Sequence, residues 1–191
     1  DVVAVAASTG GPAALASIAG SLPPDLSVPV LVVQHIREGF EAALVDLLDR
    51  VSRLTVRLAS SGDAPTPGEI LVAPPHAHLG FSPSGRVVLD HSAPIDGHRP
   101  SANFLFGSLA RSHGARAMGV VLTGMGRDGA EGLSQLHAAG GWALAQDRST
   151  SVVYGMPGAA VDGGAVDRVV PLQQMGDAIA EAASWGRVPF G

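Results

Sequence analysis

The 191 residues contain no cysteine, which excludes disulfides, thiolate catalysis and cysteine-based zinc sites and permits a reducing compartment. Aromatic residues make up only 4% of the chain, against a hydrophobic content of 46% with 25 glycines and 14 prolines. That balance describes small-residue packing between strands and helices with many turns, and it carries too much apolar surface for disorder. There is no run of Lys or Arg, and the net charge is −5, so neither nucleic acid nor an anionic membrane surface is expected as a partner. No apolar run approaches the length of a membrane span, and membrane insertion is not expected. The sequence starts at Asp1 directly before a strand, without an initiator Met or a basic signal region, and reads as an excised domain. Its length suits one α/β domain covering residues 1–191, with no internal linker.

What is present centres on Val2 to Pro12, Val-Val-Ala-Val-Ala-Ala-Ser-Thr-Gly-Gly-Pro. Small apolar residues with β-branched valines predict a buried parallel strand, and two glycines before Pro12 predict a tight turn into a helix running to Leu22. Ser8 falls where the strand ends, at the carboxyl edge where open parallel sheets bind ligands. Serine is a good helix N-cap, and that is the simplest role for it. A hydroxyl beside free backbone N–H groups also resembles a nucleophile at an oxyanion site, provided a base stands nearby.

Further elements follow in order. Val30 to Val33 predicts a second strand ending in Gln34-His35, and Phe40 to Val51 a helix with Leu44, Leu47, Leu48 and Val51 at helical spacing. Short runs at Val56 to Leu58, Ile70 to Ala73 and Val87 to Leu89, divided by prolines, read as strands, some of them antiparallel at one sheet edge. Ser101 caps a predicted helix to about Ser112. Ala117 to Leu122 is a strand leading through Thr-Gly-Met-Gly-Arg-Asp-Gly into a helix over Ala130 to Ala139. Strands at Trp142 to Ala145 and Val169-Val170, a helix from Leu172 to Trp185 and a frayed tail from Gly186 to Gly191 complete the pattern. The fold class is a doubly wound three-layer α/β sandwich with a mainly parallel sheet and a short antiparallel edge.

Gly124-Met-Gly126-Arg-Asp-Gly129 has the spacing of a dinucleotide-binding loop, with Asp147 as the later acid. Asp128 would bring a carboxylate to the phosphate position, a like-charge contact costing on the order of several kcal/mol in a partly desolvated turn. As a carboxylate kept ionised at a helix N-terminus, Asp128 could instead orient a histidine. Ser8, His35 and Asp128 all follow predicted strands, so a parallel sheet gathers a hydroxyl, an imidazole and a carboxylate on one edge. The Gly-x-Ser-x-Gly elbow of the α/β-hydrolases is absent. His76, His78 and His91 have no nearby acid to complete a metal cluster and read as surface or loop histidines, while His98, His113 and His137 need no function. Met125 between glycines is expected to line the cleft.

Several blocks together resemble the catalytic domain of the chemotaxis protein-glutamate methylesterases. They are Ala7 to Pro12, Val33 to His35, Val72 to Pro75, Arg99 to Ser101, Leu122 to Ala130, Ala145 to Asp147 and Val153 to Pro157, in order over nearly the whole length. The resemblance implies Ser8 as nucleophile, His35 as base and Asp128 as its orienting acid, with Thr9 and Met125 at the substrate. It implies hydrolysis of glutamyl γ-methyl esters, and in some members glutamine deamidation, on the cytoplasmic helices of methylated chemoreceptors, without cofactor or metal. It also implies a cytoplasmic location and a receiver domain in a longer parent chain or in trans. The chain departs from the family pattern at Ala6, at Ile36-Arg37 and at Asn103, where an acid is common. A Rossmann-like dinucleotide-binding oxidoreductase and a non-catalytic binding module on the same fold are the competing readings.

Overall fold

A computed structural model describes residues 1–184; Trp185 and the tail from Gly186 to Gly191 lie outside the described residues. The first strand, β1 (Val2–Ala7), is buried along its whole length. Because side chains alternate across a strand, Val3, Val5 and Ala7 enter one apolar cluster while Val2, Ala4 and Ala6 enter the other. One strand therefore needs helices on both faces, and the rest of the chain provides them. Helices α1 (Gly11–Ser21), α2 (Glu41–Val51) and α6 (Leu172–Ser184) cover the first face, with Leu15, Ile18, Leu44, Leu48, Met175 and Ile179. Helices α3 (Ala102–Ser112), α4 (Ala130–Ala138) and α5 (Met156–Asp162) cover the second, with Leu105, Phe106, Leu133, Leu136, Met156 and Ala160.

The main sheet adds β2 (Val30–Gln34), β3 (Thr55–Leu58), β4 (Glu69–Val72), β7 (Ala117–Val121), β8 (Trp142–Gln146) and β9 (Arg168–Val170). Its order is β3-β4-β2-β1-β7-β8-β9, with every pair parallel. The chain steps from β1 to β2 on one side and later places β7 on the other, so the connections after β1 and β7 leave towards opposite faces. The crevice between them is the ligand position of doubly wound sheets.

The antiparallel pair is present, but as its own two-stranded sheet of β5 (His78–Phe81) and β6 (Val87–Asp90) rather than as an extension of the main one. It packs on α3, where Ser108 Oγ accepts from the Phe81 amide at 3.0 Å and Gly80 lies against Phe104. Strand β5 and helix α5 were not expected. The first is a four-residue run broken by glycine, and the second is a seven-residue helix that Pro157 opens inside a stretch reading as a turn. A 3₁₀ turn, Gly114–Arg116, leads into β7.

Helices α3 and α4 approach closely at Gly132. A Cβ there would sit 2.6 Å from Asn103 O and 2.8 Å from Asn103 Cα. Helix propensity alone would make Gly132→Ala stabilising by up to about 1 kcal/mol. Overpacking against backbone costs about 1–3 kcal/mol and should win, because the neighbouring atoms cannot rotate away. Urea unfolding of Gly132→Ala is therefore expected to show a loss of stability; a gain would mean that α3 and α4 are not held this close.

Candidate active site

Three loops meet at the carboxyl edge of the sheet. Register pairs Ala7 of β1 with Gln34 of β2, so Ser8 and His35 are the next residues along adjacent strands. The His35 amide donates to Ala7 O at 3.0 Å, and the Ser8 amide donates to Thr123 O at 3.1 Å, which ties the end of β1 to the loop after β7. Gln34 fastens the two candidate residues together: its Nε2 donates to Ser8 O at 2.9 Å and to His35 O at 2.8 Å. Gly11 leaves the space for that side chain, since a Cβ there would fall 1.9 Å from Gln34 Oε1.

Ser8 is not a side-chain cap. The N-cap of α1 is Gly10, at φ 81°, and no side chain caps the helix; Ser8 takes part through its carbonyl, which accepts from the Gly11 amide at 2.8 Å. The half-buried Ser8 has no hydrogen bond from its hydroxyl among the described residues, to His35 included. Gly124 lies directly beside it, because a Cβ at 124 would be 2.8 Å from the Ser8 Cβ.

His35 and Asp128 are joined. His35 Nε2 donates to Asp128 Oδ2 at 2.8 Å, with both side chains nearly excluded from solvent. Donation from Nε2 leaves the lone pair of the neutral ring on Nδ1, and that nitrogen is buried with no partner. Asp128 accepts three more hydrogen bonds: from Ser101 Oγ at 2.8 Å, the Ala102 amide at 2.7 Å and the Asn103 amide at 3.0 Å. Burial alone would push this carboxyl up, but the bonds from His35, the two amides and Ser101 outweigh it and hold the pKa at about 2. Asp128 is ionised at any physiological pH.

The expected helix N-terminus holds the acid, but it belongs to a different helix. Asp128 precedes α4, yet its carboxylate turns to the start of α3. Helix α4 is served in exchange by Asn103, whose Oδ1 accepts from the Gly129 amide at 3.0 Å and the Gly132 amide at 2.8 Å. A side-chain acceptor is what Asn103 supplies to the start of α4. It also removes the dinucleotide reading, because these amides at the start of α4 are already engaged.

Two histidines have more defined places than their sequence context suggests. His98 stacks on His35 with ring centroids 4.0 Å apart and planes 4° from parallel. It is delivered by a tight turn in which Ile95 and His98 exchange backbone hydrogen bonds at 3.0 and 2.9 Å, with Asp96 and Gly97 both at positive φ. Burial and then the neighbouring His35 hold His98 below the ordinary histidine range, so the ring lying against His35 is neutral near pH 7. His78 is not on the surface but fully buried: its Nδ1 accepts from the Ser101 amide at 3.2 Å and its Nε2 donates to Ala93 O at 3.1 Å. It braces the residue that caps α3 and holds Asp128. No spacing rule signals either contact, since each joins loops far apart in the chain.

Thr9 is exposed, and its carbonyl accepts from Thr123 Oγ1 at 3.0 Å. Met125 is 69% exposed on the loop after β7. Among the described residues, no group of three or more His, Asp or Glu side chains is placed to hold a metal ion; His76 pairs instead with Glu38 at 2.8 Å.

Ionisation of Asp128 links the site to stability. Its pKa falls from the ordinary 3.8 to about 2 on folding, so as pH drops the unfolded chain takes up the proton first. The stabilisation, about 2 kcal/mol, is complete above about pH 4 and lost as pH approaches 2. The gap in unfolding free energy between the unaltered protein and Asp128→Asn is expected to narrow by that amount between pH 4 and pH 2. A gap that does not change across this window would contradict the hydrogen-bonded carboxylate.

The sequence matches the family model described as CheB methylesterase over residues 3–179. It is 46% identical over 181 residues to protein-glutamate methylesterase/protein-glutamine glutaminase 4 of Myxococcus xanthus, covering 95% of this chain and 51% of that protein. It is 50% identical over 181 residues to protein-glutamate methylesterase/protein-glutamine glutaminase 2 of Anaeromyxobacter dehalogenans, covering 95% and 53%. The chain thus spans about half the length of these curated relatives. The crystal structure of the Thermotoga maritima CheB methylesterase catalytic domain superposes with a TM-score of 0.91 at 36% identity, covering 95% of this chain and 97% of that one. The fold and the sequence agree, and this chain belongs to the CheB methylesterase family.

Proposed function

We propose that this chain is the catalytic unit of a protein-glutamate methylesterase that hydrolyses glutamyl γ-methyl esters on the cytoplasmic helices of chemoreceptors, with glutamine deamidation as a second reaction. The observation that carries this reading is the buried His35–Asp128 pair, whose one free ring nitrogen belongs to the residue next in register to Ser8. Family membership supplies the substrate class.

The geometry suits an acyl-enzyme cycle. Ser8 Oγ attacks the ester carbonyl and passes its proton to His35 Nδ1. The imidazolium that forms is stabilised through Nε2 by a carboxylate whose pKa of about 2 keeps it from taking the proton itself. The tetrahedral oxyanion is received by the amides of Thr9 and Gly10, which follow Ser8 and have no acceptor among the described residues. Each such donor is worth about 10²- to 10³-fold in rate. Collapse expels the methoxy group, which leaves as methanol with the proton from His35. Water then gives a proton to His35 and attacks the acyl-enzyme, releasing glutamate and restoring Ser8. On glutamine the leaving group is ammonia.

No helix among the described residues is long and apolar enough to cross a membrane. We place the protein in the cytoplasm, where its receptor helices are, with a receiver domain in the parent chain or in trans as its regulator. Thr9 and Met125, on the rim, contact the substrate segment.

Ser8→Ala is expected to lower methanol release from a methylated receptor fragment by at least about 10⁴-fold while the melting temperature stays within a few degrees. Turnover at the unaltered rate would contradict the reading.

A further inference from the structure

A cavity of about 530 Å³ adjoins the proposed catalytic cluster on the other side of the loop after β7, lined by Gly126, Arg127, Arg148, Tyr154, Gly158 and Asp162 among others. The two sites share a wall. Within that loop Gly124 abuts Ser8 and pairs with Tyr154, Gly126 and Arg127 face the cavity, and Asp128 turns back to His35. Nothing in the ester hydrolysis described above uses the cavity.

Its charge is unusual for this protein. The chain carries a net charge of −5, yet two arginines line the cavity against one carboxylate, Asp162. Neither Arg127 nor Arg148 has an ion-pair partner among the described residues, whereas Arg57 and Arg168 are both paired. Arg148 is nevertheless held in place: its guanidinium lies 4.4 Å over the centre of the Tyr154 ring. That ring rests against Gly158, where a Cβ would come within 3.1 Å of it. A guanidinium held over an aromatic face by its charge leaves its N–H groups able to donate, in the planar fork that fits a carboxylate. Apolar contact is available beside it, since Met125 and Val152 are 69% and 71% exposed on the two loops that frame the cavity.

We propose that this cavity is a specificity subsite that binds an ionised carboxylate side chain close to the scissile methyl ester on the same substrate segment, with Arg148 and Arg127 as its ligands. This rests on the esterase reading and adds to it a preference for esters with acidic neighbours. Removing a neighbouring negative charge, by methylation or amidation, would weaken capture of the ester beside it. The arginines are exposed, so the effect is modest and falls on binding rather than on the chemical step.

The test compares two methyl-esterified cytoplasmic fragments of a chemoreceptor, one retaining the glutamates that flank the ester and one with those glutamates changed to alanine. The unaltered protein is expected to show a KM about five- to tenfold lower for the acidic fragment, with equal kcat for both. The preference should shrink between about 0.05 M and about 0.5 M salt as the charges are screened, and R127Q/R148Q should bring the two KM values together. Equal KM values in the unaltered protein, a salt-insensitive preference, or a preference that survives in R127Q/R148Q would each overturn the subsite. If the unaltered protein releases no methanol from either fragment, the esterase reading itself fails and the subsite falls with it.

Discussion

The structure turns on one buried carboxylate. Asp128 is 3% exposed and accepts four hydrogen bonds, and an ionised group in that position without them would cost several kcal/mol. Its partners come from the end of β2 and from the first turn of α3, so satisfying it requires three separated stretches of chain to be in place together. Asn103 returns the service to α4, and Gly132 lets the two helices meet closely enough for both exchanges. Stability and site geometry are therefore set by the same interaction. The same buried acid that joins the loop after β7 to α3 also meets His35.

The supports around that pair form a continuous frame. Gln34 ties the carbonyls of Ser8 and His35, His78 braces Ser101, and His98 covers the face of His35 from a tight turn three residues before Ser101. The segment 95–103 thus restrains the His35–Asp128 pair twice, once by stacking and once by hydrogen bonds. An imidazole held this way has one orientation, with its Nδ1 buried and unpaired.

Much of this was legible in the sequence. The strand ends carrying Ser8, His35 and Asp128 follow from apolar runs broken by glycine, because period and turn residues act locally. The literal dinucleotide spacing of Gly124 to Gly129 is ambiguous for the same reason: local spacing cannot say whether the following amides are free, and Asn103, 26 positions before Gly129, decides it. What could not be read were contacts with no period. His98 on His35, His78 under Ser101 and the turn of Asp128 towards α3 rather than α4 each join distant loops. Strand β5 and helix α5 are too short for periodicity to separate them from turns.

In the proposed reaction Asp128, through His35, makes Ser8 nucleophilic. The most direct measurement is the rate at which an active-site phosphonate probe labels the protein, located by peptide mass mapping. Labelling confined to Ser8 and falling by about 10³-fold or more in Asp128→Asn is the predicted result. Labelling at another residue, or equal labelling of Ser8 in Asp128→Asn, would contradict it.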